Sequence, residues 1–180
     1  MPKIIDKSVF VLICALISSG FAVEKPTGPQ QTCMTAECHA DYGERAEVHG
    51  PVALGDCTSC HKPLNDQEHT YQMAREGADL CQYCHLDQTA KKHLHNPLEA
   101  EGACTQCHDP HGSDSKFFLS SKTAAASCSE CHETTKGMKF LHGPVAAGEC
   151  TVCHDPHGSD YENLLDLDPN DLCFSCHEVT

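Results

Sequence analysis

The chain has 180 residues, and its 26 acidic residues outnumber the 12 basic ones, which gives a formal net charge of −14. Nucleic-acid binding depends on basic surfaces, so this charge excludes that class of function. The chain contains fifteen cysteines but no tryptophan, six phenylalanines and four tyrosines, too little apolar material for an ordinary hydrophobic core of this length.

A secretory signal peptide is predicted at residues 1–22. Lys3 and Lys7 provide the positive start, residues 9–17 form a short apolar run, and small residues lead to Ala22 as the cleavage position. The run is too short to span a bilayer as a stable helix, so we expect an exported mature chain without a membrane span, periplasmic or extracellular. Two alternatives are a retained signal anchor and a lipoprotein acylated at Cys14, where Ile13 occupies a position that normally carries a small residue.

Six copies of the pentad Cys-x-x-Cys-His follow. They stand at 57–61, 81–85, 104–108, 128–132, 150–154 and 173–177. This pentad is the attachment signature of c-type haem, in which two thiols add to the porphyrin vinyl groups and the histidine ligates iron. A structural zinc site would draw four ligands from two cysteine pairs, and zinc chemistry does not require a histidine directly after each pair. A thiol-disulfide oxidoreductase would need a single reactive pair on a βαβ scaffold.

A seventh site is predicted at 33–39, where Cys33-Met-Thr-Ala-Glu-Cys38-His39 keeps the terminal Cys-His but separates the thiols by four residues. The alternative is a disulfide between Cys33 and Cys38 in an oxidising compartment. With this site the chain is predicted to carry seven c-type haems. The predicted thioether cysteines are Cys33, Cys38, Cys57, Cys60, Cys81, Cys84, Cys104, Cys107, Cys128, Cys131, Cys150, Cys153, Cys173 and Cys176. The predicted proximal iron ligands are His39, His61, His85, His108, His132, His154 and His177.

The chain holds seven further histidines, the number needed to give every iron a second imidazole. These predicted distal ligands are His49, His69, His93, His95, His111, His142 and His157. His93 fits the repeat least well, and the alternative for it is a surface residue. A saturated set leaves no open position for substrate, which favours an electron carrier over an enzyme, and bis-imidazole ligation favours low reduction potentials.

Chain reach restricts which histidines can share an iron. His108 and His111 are three residues apart, at most about 10 Å along an extended chain, and Pro110 restricts the backbone between them further. The same holds for His154 and His157. We therefore expect His111 and His157 each to ligate a different haem from the one bound next to them.

The pentads belong to a repeated block. The text His49-Gly-Pro-Val-Ala recurs as His142-Gly-Pro-Val-Ala and, more loosely, from His95, which defines three doubled units at about 49–92, 93–139 and 140–180. With the single site at 33–39 they form one heptahaem domain, 23–180. The predicted fold is mostly irregular with short α-helices, at the pentads and over 67–78 and 121–129, and negligible β-structure. The haems are expected to form the core.

These motifs resemble the doubled CXXCH family of multihaem c-type cytochromes, most closely in HGPVAAGECTVCHDPHGS at 142–159 and DLCFSCH at 171–177. The resemblance implies bis-histidine haems and electron transfer in periplasmic or extracellular respiration, and some similar proteins polymerise into extracellular filaments. This chain departs from the pattern in the spacer of its first site and in HKPLN at 61–65, where His69 is expected to supply the missing ligand.

Three functions are therefore open at this point. The favoured one is an electron conduit that serves redox partner proteins or extracellular electron acceptors. The second is a homopolymer in which copies stack into a conductive filament, with His93 or another distal histidine donated between copies. The third is a multihaem reductase with one open iron.

Overall fold

The structure is a computed structural model that describes residues 33–35, 37–65, 67–100, 103–133 and 135–178. The predicted signal peptide lies outside these residues. Within them the chain is mostly irregular, as expected, and no α-helix exceeds six residues. The α-helices are α1 Gly50–Ala53, α2 Asp79–Gln82, α3 Ala124–Ser129, α4 Gly143–Ala147 and α5 Pro169–Leu172. Short 3₁₀ turns occupy Ala40–Gly43, Cys57–Ser59, Leu86–Thr89, Asn96–Glu99, Ala103–Gln106, Lys116–Phe118, Cys150–Val152, Glu162–Leu164 and Cys173–Ser175.

The expectation of negligible β-structure was wrong, because three small antiparallel sheets are present. The strands are β1 Glu47–Val48, β2 His61–Asn65, β3 Thr70–Met73, β4 His93–Leu94, β5 Gly112–Ser113 and β6 Gly158–Ser159. β1 pairs with β5, β2 with β3, and β4 with β6. Two-residue strands leave no alternating pattern in the sequence, so nothing in the periodicity announces them.

Two of these sheets interlock successive units. Val48 faces Gly112 and Leu94 faces Gly158, so the strand ahead of one unit pairs with the Gly-Ser that follows the first pentad of the next. The pairing brings the main chain of the two segments close together. A Cβ atom on Gly112, whose φ is +128°, would collide with the backbone of Glu47 and lie 2.9 Å from the Cα of Val48.

The helix expected over 67–78 is a β-hairpin instead. The Asn65 side chain accepts hydrogen bonds from the backbone N–H groups of Gln67 and Glu68, at 2.9 and 3.3 Å, which builds a turn. His69 completes the reversal with a φ of 52°, and β3 then pairs back onto β2. The turn chemistry of Asn65 therefore outweighs the helical propensity of the residues after it.

The helix expected over 121–129 is present in shortened form as α3. The Thr123 side chain caps it by accepting a hydrogen bond from the Ala126 N–H at 3.1 Å, an arrangement typical of a helix N-terminus. The predicted start was three residues early because Thr123 is the capping residue.

The polypeptide contributes almost no hydrophobic core of its own. Among the described residues Ala103 is the only buried apolar residue, and Ser113 and Ser159 are the buried polar ones. Large apolar side chains such as Phe140 and Phe174 are 83% and 58% exposed. No helix in the described part of the chain has the length and apolar character that crossing a membrane requires.

Candidate haem-binding sites

Each of the six pentads begins within a helical turn. The histidine backbone N–H donates to the carbonyl of the first cysteine in five of the six pentads, at 2.9–3.2 Å. The exception is His61, which enters β2. In the site with the longer spacer, the His39 N–H donates to the Cys33 carbonyl at 3.1 Å. The site with the longer spacer therefore has the same backbone hydrogen bond, from the histidine N–H to the carbonyl of the first cysteine.

The histidine rings lie in pairs of one kind. Six ring pairs have centroids 5.9–6.0 Å apart and interplanar angles of 8–35°, and each joins a pentad-type histidine to one outside the pentads. The pairs are His39–His69, His49–His85, His61–His111, His95–His132, His108–His157 and His142–His177. Twelve of the fourteen histidines are thus brought together two by two.

This separation fits two axial ligands of one metal. An imidazole nitrogen lies about 2 Å from a metal that it binds and about 1 Å from its own ring centre, so two imidazoles on opposite sides of one metal have centroids about 6 Å apart. Six repetitions of the same distance, always between the two predicted ligand classes, are difficult to explain by packing of exposed rings. The histidines present therefore fit a bis-imidazole iron.

Backbone carbonyls orient several of these imidazoles. The Nδ1 atoms of His49 and His95 lie 2.7 and 3.0 Å from the carbonyl oxygens of Pro110 and Pro156. A carbonyl only accepts, so Nδ1 carries the proton and donates. This tautomer leaves the Nε2 lone pair free for a metal, and the hydrogen bond raises the basicity of the ligand.

Two proximal histidines receive the same support from unusual backbone. The Nδ1 of His108 donates to Phe117 O at 2.7 Å, and the Nδ1 of His154 donates to Asn163 O at 2.9 Å. Phe117 has φ 60° and Asn163 has φ 58°, a left-handed conformation that is unfavourable for most side chains. Such backbone persists where the surroundings demand it, and here it aims a carbonyl at a ligand. The sequence could not predict these acceptors, because every residue has a main-chain carbonyl and its direction does not depend on residue type alone.

In neither His-Asp-Pro-His segment do the two histidines pair with each other. His111 lies beside His61, and His157 lies beside His108, which is the arrangement that the short chain reach requires. Asp109 Oδ1 accepts the His111 N–H at 2.9 Å, and the same bond joins Asp155 to His157. These turns hold the second histidine away from the first. Ligation itself stays a prediction.

Asp109 is further held by Arg45, whose guanidinium Nη1 lies 2.6 Å from Asp109 Oδ2 and donates also to the Gly112 carbonyl. Burial alone would raise the pKa of Asp109, but the His111 N–H and the Arg45 side chain together lower it below the ordinary value. The aspartate is therefore ionised when it positions His111.

The cysteines place neighbouring sites next to each other in chain order. All fourteen described cysteines are free thiols, and none is buried. In seven pairs of thiols from successive sites, one thiol raises the pKa of the other. The pairs are Cys33–Cys57, Cys60–Cys81, Cys60–Cys84, Cys81–Cys104, Cys107–Cys128, Cys107–Cys131 and Cys128–Cys150. Burial, followed by the Cys104 thiol, raises the pKa of Cys81 to about 11. The first six sites therefore form an unbroken sequence of neighbours.

Two imidazoles are also held in their neutral form. Burial, with His111 and His39 as weaker causes, lowers the pKa of His61. Burial likewise lowers the pKa of His157, although Asp155 opposes it. Neutral imidazole is the form that binds a metal, so this environment favours ligation.

His93 and His154 are the two histidines outside the six ring pairs. The Nε2 atom of His93 is buried without a hydrogen-bond partner, whereas His154 is held by Asn163 as described above. The described residues contain no group of three or more His, Cys, Asp or Glu side chains that could hold a metal ion, as a zinc ribbon would require.

The comparison with known families agrees with these sites. The model of the family described as "Doubled CXXCH motif" matches residues 49–90, 95–137 and 142–180. These three segments begin at His49, His95 and His142 and include all six pentads, while the site at 33–39 precedes them. No curated protein matches the chain in sequence. The protein belongs to the doubled CXXCH family of multihaem c-type cytochromes.

Proposed function

We propose that this protein is an exported electron carrier that binds seven c-type haems, each with two histidine ligands, and serves periplasmic or extracellular respiration. The observation that carries the proposal is the set of six histidine pairs at 5.9–6.0 Å. A c-type haem with two imidazole ligands takes up and releases single electrons and offers no open position for substrate.

The chain's own residues have three tasks in this function. The cysteines tether each cofactor covalently, and the adjacent thiols of successive sites support a close linear arrangement. The Nδ1 hydrogen bonds to main-chain carbonyls hold the imidazoles in the tautomer that binds iron. The haems would also supply the apolar interior that the described polypeptide lacks, since Ala103 is its only buried apolar residue.

The haem number is tested by intact-mass measurement of the protein produced with a c-type haem attachment system. The expected mass is that of the mature chain plus seven haems. Cys33→Ser together with Cys38→Ser should remove one haem, and the same change at Cys57 and Cys60 should also remove one. A wild-type mass with six haems that is unchanged in the first variant would overturn the seventh site and favour the disulfide between Cys33 and Cys38.

Electron transfer is tested by reductive titration of the same material. Saturated bis-histidine sites predict a fully low-spin oxidised spectrum and reduction at low potentials without turnover of nitrite or peroxide. Catalytic reduction of either substrate would favour the reductase instead.

The polymer remains the second candidate for the same cofactor chain. Size measurements decide whether the protein assembles: discrete monomers at all concentrations in size-exclusion chromatography and negative-stain images would exclude a filament. In the described residues six of seven distal histidines face partners in their own chain, so filament formation has no need of ligand exchange at those sites.

A further inference from the structure

The histidine pairs follow a register that the repeat imposes. In each unit the leading histidine pairs with the histidine of the second pentad, as His49 does with His85. The first pentad of a unit pairs instead with the second histidine of the His-Asp-Pro-His segment one unit later, as His61 does with His111. Five of the six pairs obey these two rules.

Two pentad-type histidines stand outside both rules. His39 lies ahead of the unit that starts at His49, and His154 is in the first pentad of the unit that starts at His142. Among the described ring pairs, neither is paired with a histidine of the repeat. Two distal histidines, His69 and His93, have no counterpart in the other units. Two proximal histidines without a repeat partner, His39 and His154, can therefore be matched with two histidines outside the repeat, His69 and His93.

The structure resolves the first of these cases. His69, at the tip of the β2–β3 hairpin, has its ring 6.0 Å from that of His39 with an interplanar angle of 15°. A histidine outside the repeat thus occupies the position of the missing ligand at the N-terminal end.

The second case concerns His154, for which His93 is the remaining histidine. His93 lies on β4, which contacts the 3₁₀ turn Glu162–Leu164. Asn163 in this turn accepts the hydrogen bond from His154 Nδ1, so β4 packs against the segment that orients His154. Because Nδ1 is engaged there, His154 has Nε2 available for iron.

The Nε2 atom of His93 needs a partner, and the nearest other site cannot supply one. His93 lines a cavity of about 450 Å³ together with His95, His132 and Asn163. His95 and His132 would together hold the iron of that site, because their rings are 5.9 Å apart, so His93 would not be needed there. A buried imidazole nitrogen without a hydrogen bond is unfavourable, and iron coordination would satisfy it.

We propose that His93 is the second axial ligand of the haem iron bound by His154 in the same chain. This inference rests on the proposed haem-binding function. His69 and His93 then supply the second ligands of the two sites, those of His39 and His154, that the two pairing rules leave without one. Every iron is saturated within one copy, so no histidine remains to be exchanged with a second copy and no iron is open to substrate.

The test uses the haem-loaded protein, its intact mass and low-temperature EPR of the oxidised form. Wild type should show seven haems and no high-spin signal. His93→Ala should keep seven haems but convert one haem in seven to high spin and bind one carbon monoxide per chain when reduced. Added imidazole should restore the low-spin spectrum. Lys92→Ala, on the adjacent exposed residue, is the matched control and should resemble wild type.

A second variant identifies the site that loses its ligand. In a Cys150→Ser, Cys153→Ser background, which removes the haem of His154, His93→Ala should produce no high-spin signal. A signal that persists there would assign His93 to another haem and overturn the proposal. It is equally overturned if His93→Ala leaves wild-type spectra unchanged, or if wild type itself turns high spin on dilution, which would indicate a ligand from another copy. A haem count other than seven in wild type would instead contradict the proposed function.

Discussion

At the scale of single residues, the candidate sites depend on which imidazole nitrogen donates a hydrogen bond and which is left to bind iron. Carbonyl acceptors occupy Nδ1 in four histidines, and Asp109 and Asp155 hold the second histidine of each His-Asp-Pro-His segment through its backbone N–H. Ligand geometry is therefore prepared by the main chain and by two short acidic side chains.

Cross-ligation between units gives a prediction at this scale. His111→Ala should produce one high-spin haem, because it removes the imidazole facing His61. Low-temperature EPR should show this signal disappear in a Cys57→Ser, Cys60→Ser background and persist in a Cys104→Ser, Cys107→Ser background. The reverse pattern would mean that His111 serves the haem bound beside it.

The Arg45–Asp109 ion pair gives a second prediction. Its side chains are only 30% and 29% exposed, so Arg45→Gln should destabilise the haem-loaded protein by about 0.5–1 kcal/mol at neutral pH, a fall in Tm of about 1–4 °C. Because the folded-state pKa of Asp109 is lowered, this stabilisation is present above the ordinary aspartate pKa and is lost as pH falls through the folded-state value.

Thermal unfolding followed across pH measures this effect. Lys136→Gln is the control, since the Lys136–Glu133 pair is 74% and 71% exposed and should contribute nothing measurable. A Tm difference for Arg45→Gln that stays constant into acid would point to packing of Arg45 on Tyr42 and not to the ion pair.

At the scale of secondary structure, the short sheets are the devices that join the units. β1–β5 and β4–β6 each bring a leading strand onto the next unit, and the neighbouring His49 and His95 backbone N–H groups donate to the carbonyls of His111 and His157. The sheets thus bring the predicted distal ligands of one unit next to the following unit. The sequence did not predict these strands, since pairing of two-residue strands is decided by contacts distant in sequence.

Gly112 provides the prediction for these elements. Its φ of +128° and its closeness to Glu47 and Val48 leave no room for a Cβ atom. Gly112→Ala should therefore cost about 1–3 kcal/mol and lower the Tm of the haem-loaded protein by several degrees. Gly143→Ala is the control, because a Cβ there meets nothing within 4 Å. Equal Tm values for the two variants would contradict the close strand pairing.

At the scale of the whole molecule, the described polypeptide has one buried apolar residue, Ala103, and its free cysteines form no disulfide framework. Chains that lack both a core and cross-links do not fold without a bound group. The long-range contacts between units would then be stabilised by the haems that their paired histidines are proposed to share.

Haem dependence is the corresponding prediction. The mature chain produced without haem attachment should give a far-UV circular dichroism spectrum of an unfolded protein and no cooperative thermal transition. The haem-loaded chain should show a cooperative transition and resist proteolysis. A cooperative transition in the haem-free chain would contradict a core made by the cofactors.

The cysteine pairs and the histidines next to them could be predicted from the sequence. The two cysteines and the histidine of each pentad lie close together in the chain, so their spacing alone predicts haem attachment. Chain reach also predicted that His108 and His111 do not share an iron, and their rings lie beside different histidines. The hairpin at 61–73 was mispredicted because the turn at Asn65 and His69 outweighed local helix propensity.

Residue order thus establishes the family and predicts the cysteines that attach haem and the histidines available for iron. Only the tertiary structure assigns partners, such as His61 with His111 or His39 with His69. The physical reason is that an axial pair joins residues far apart in sequence, and their meeting depends on strand pairings and turns formed between units. The six repeated distances exist only in three dimensions.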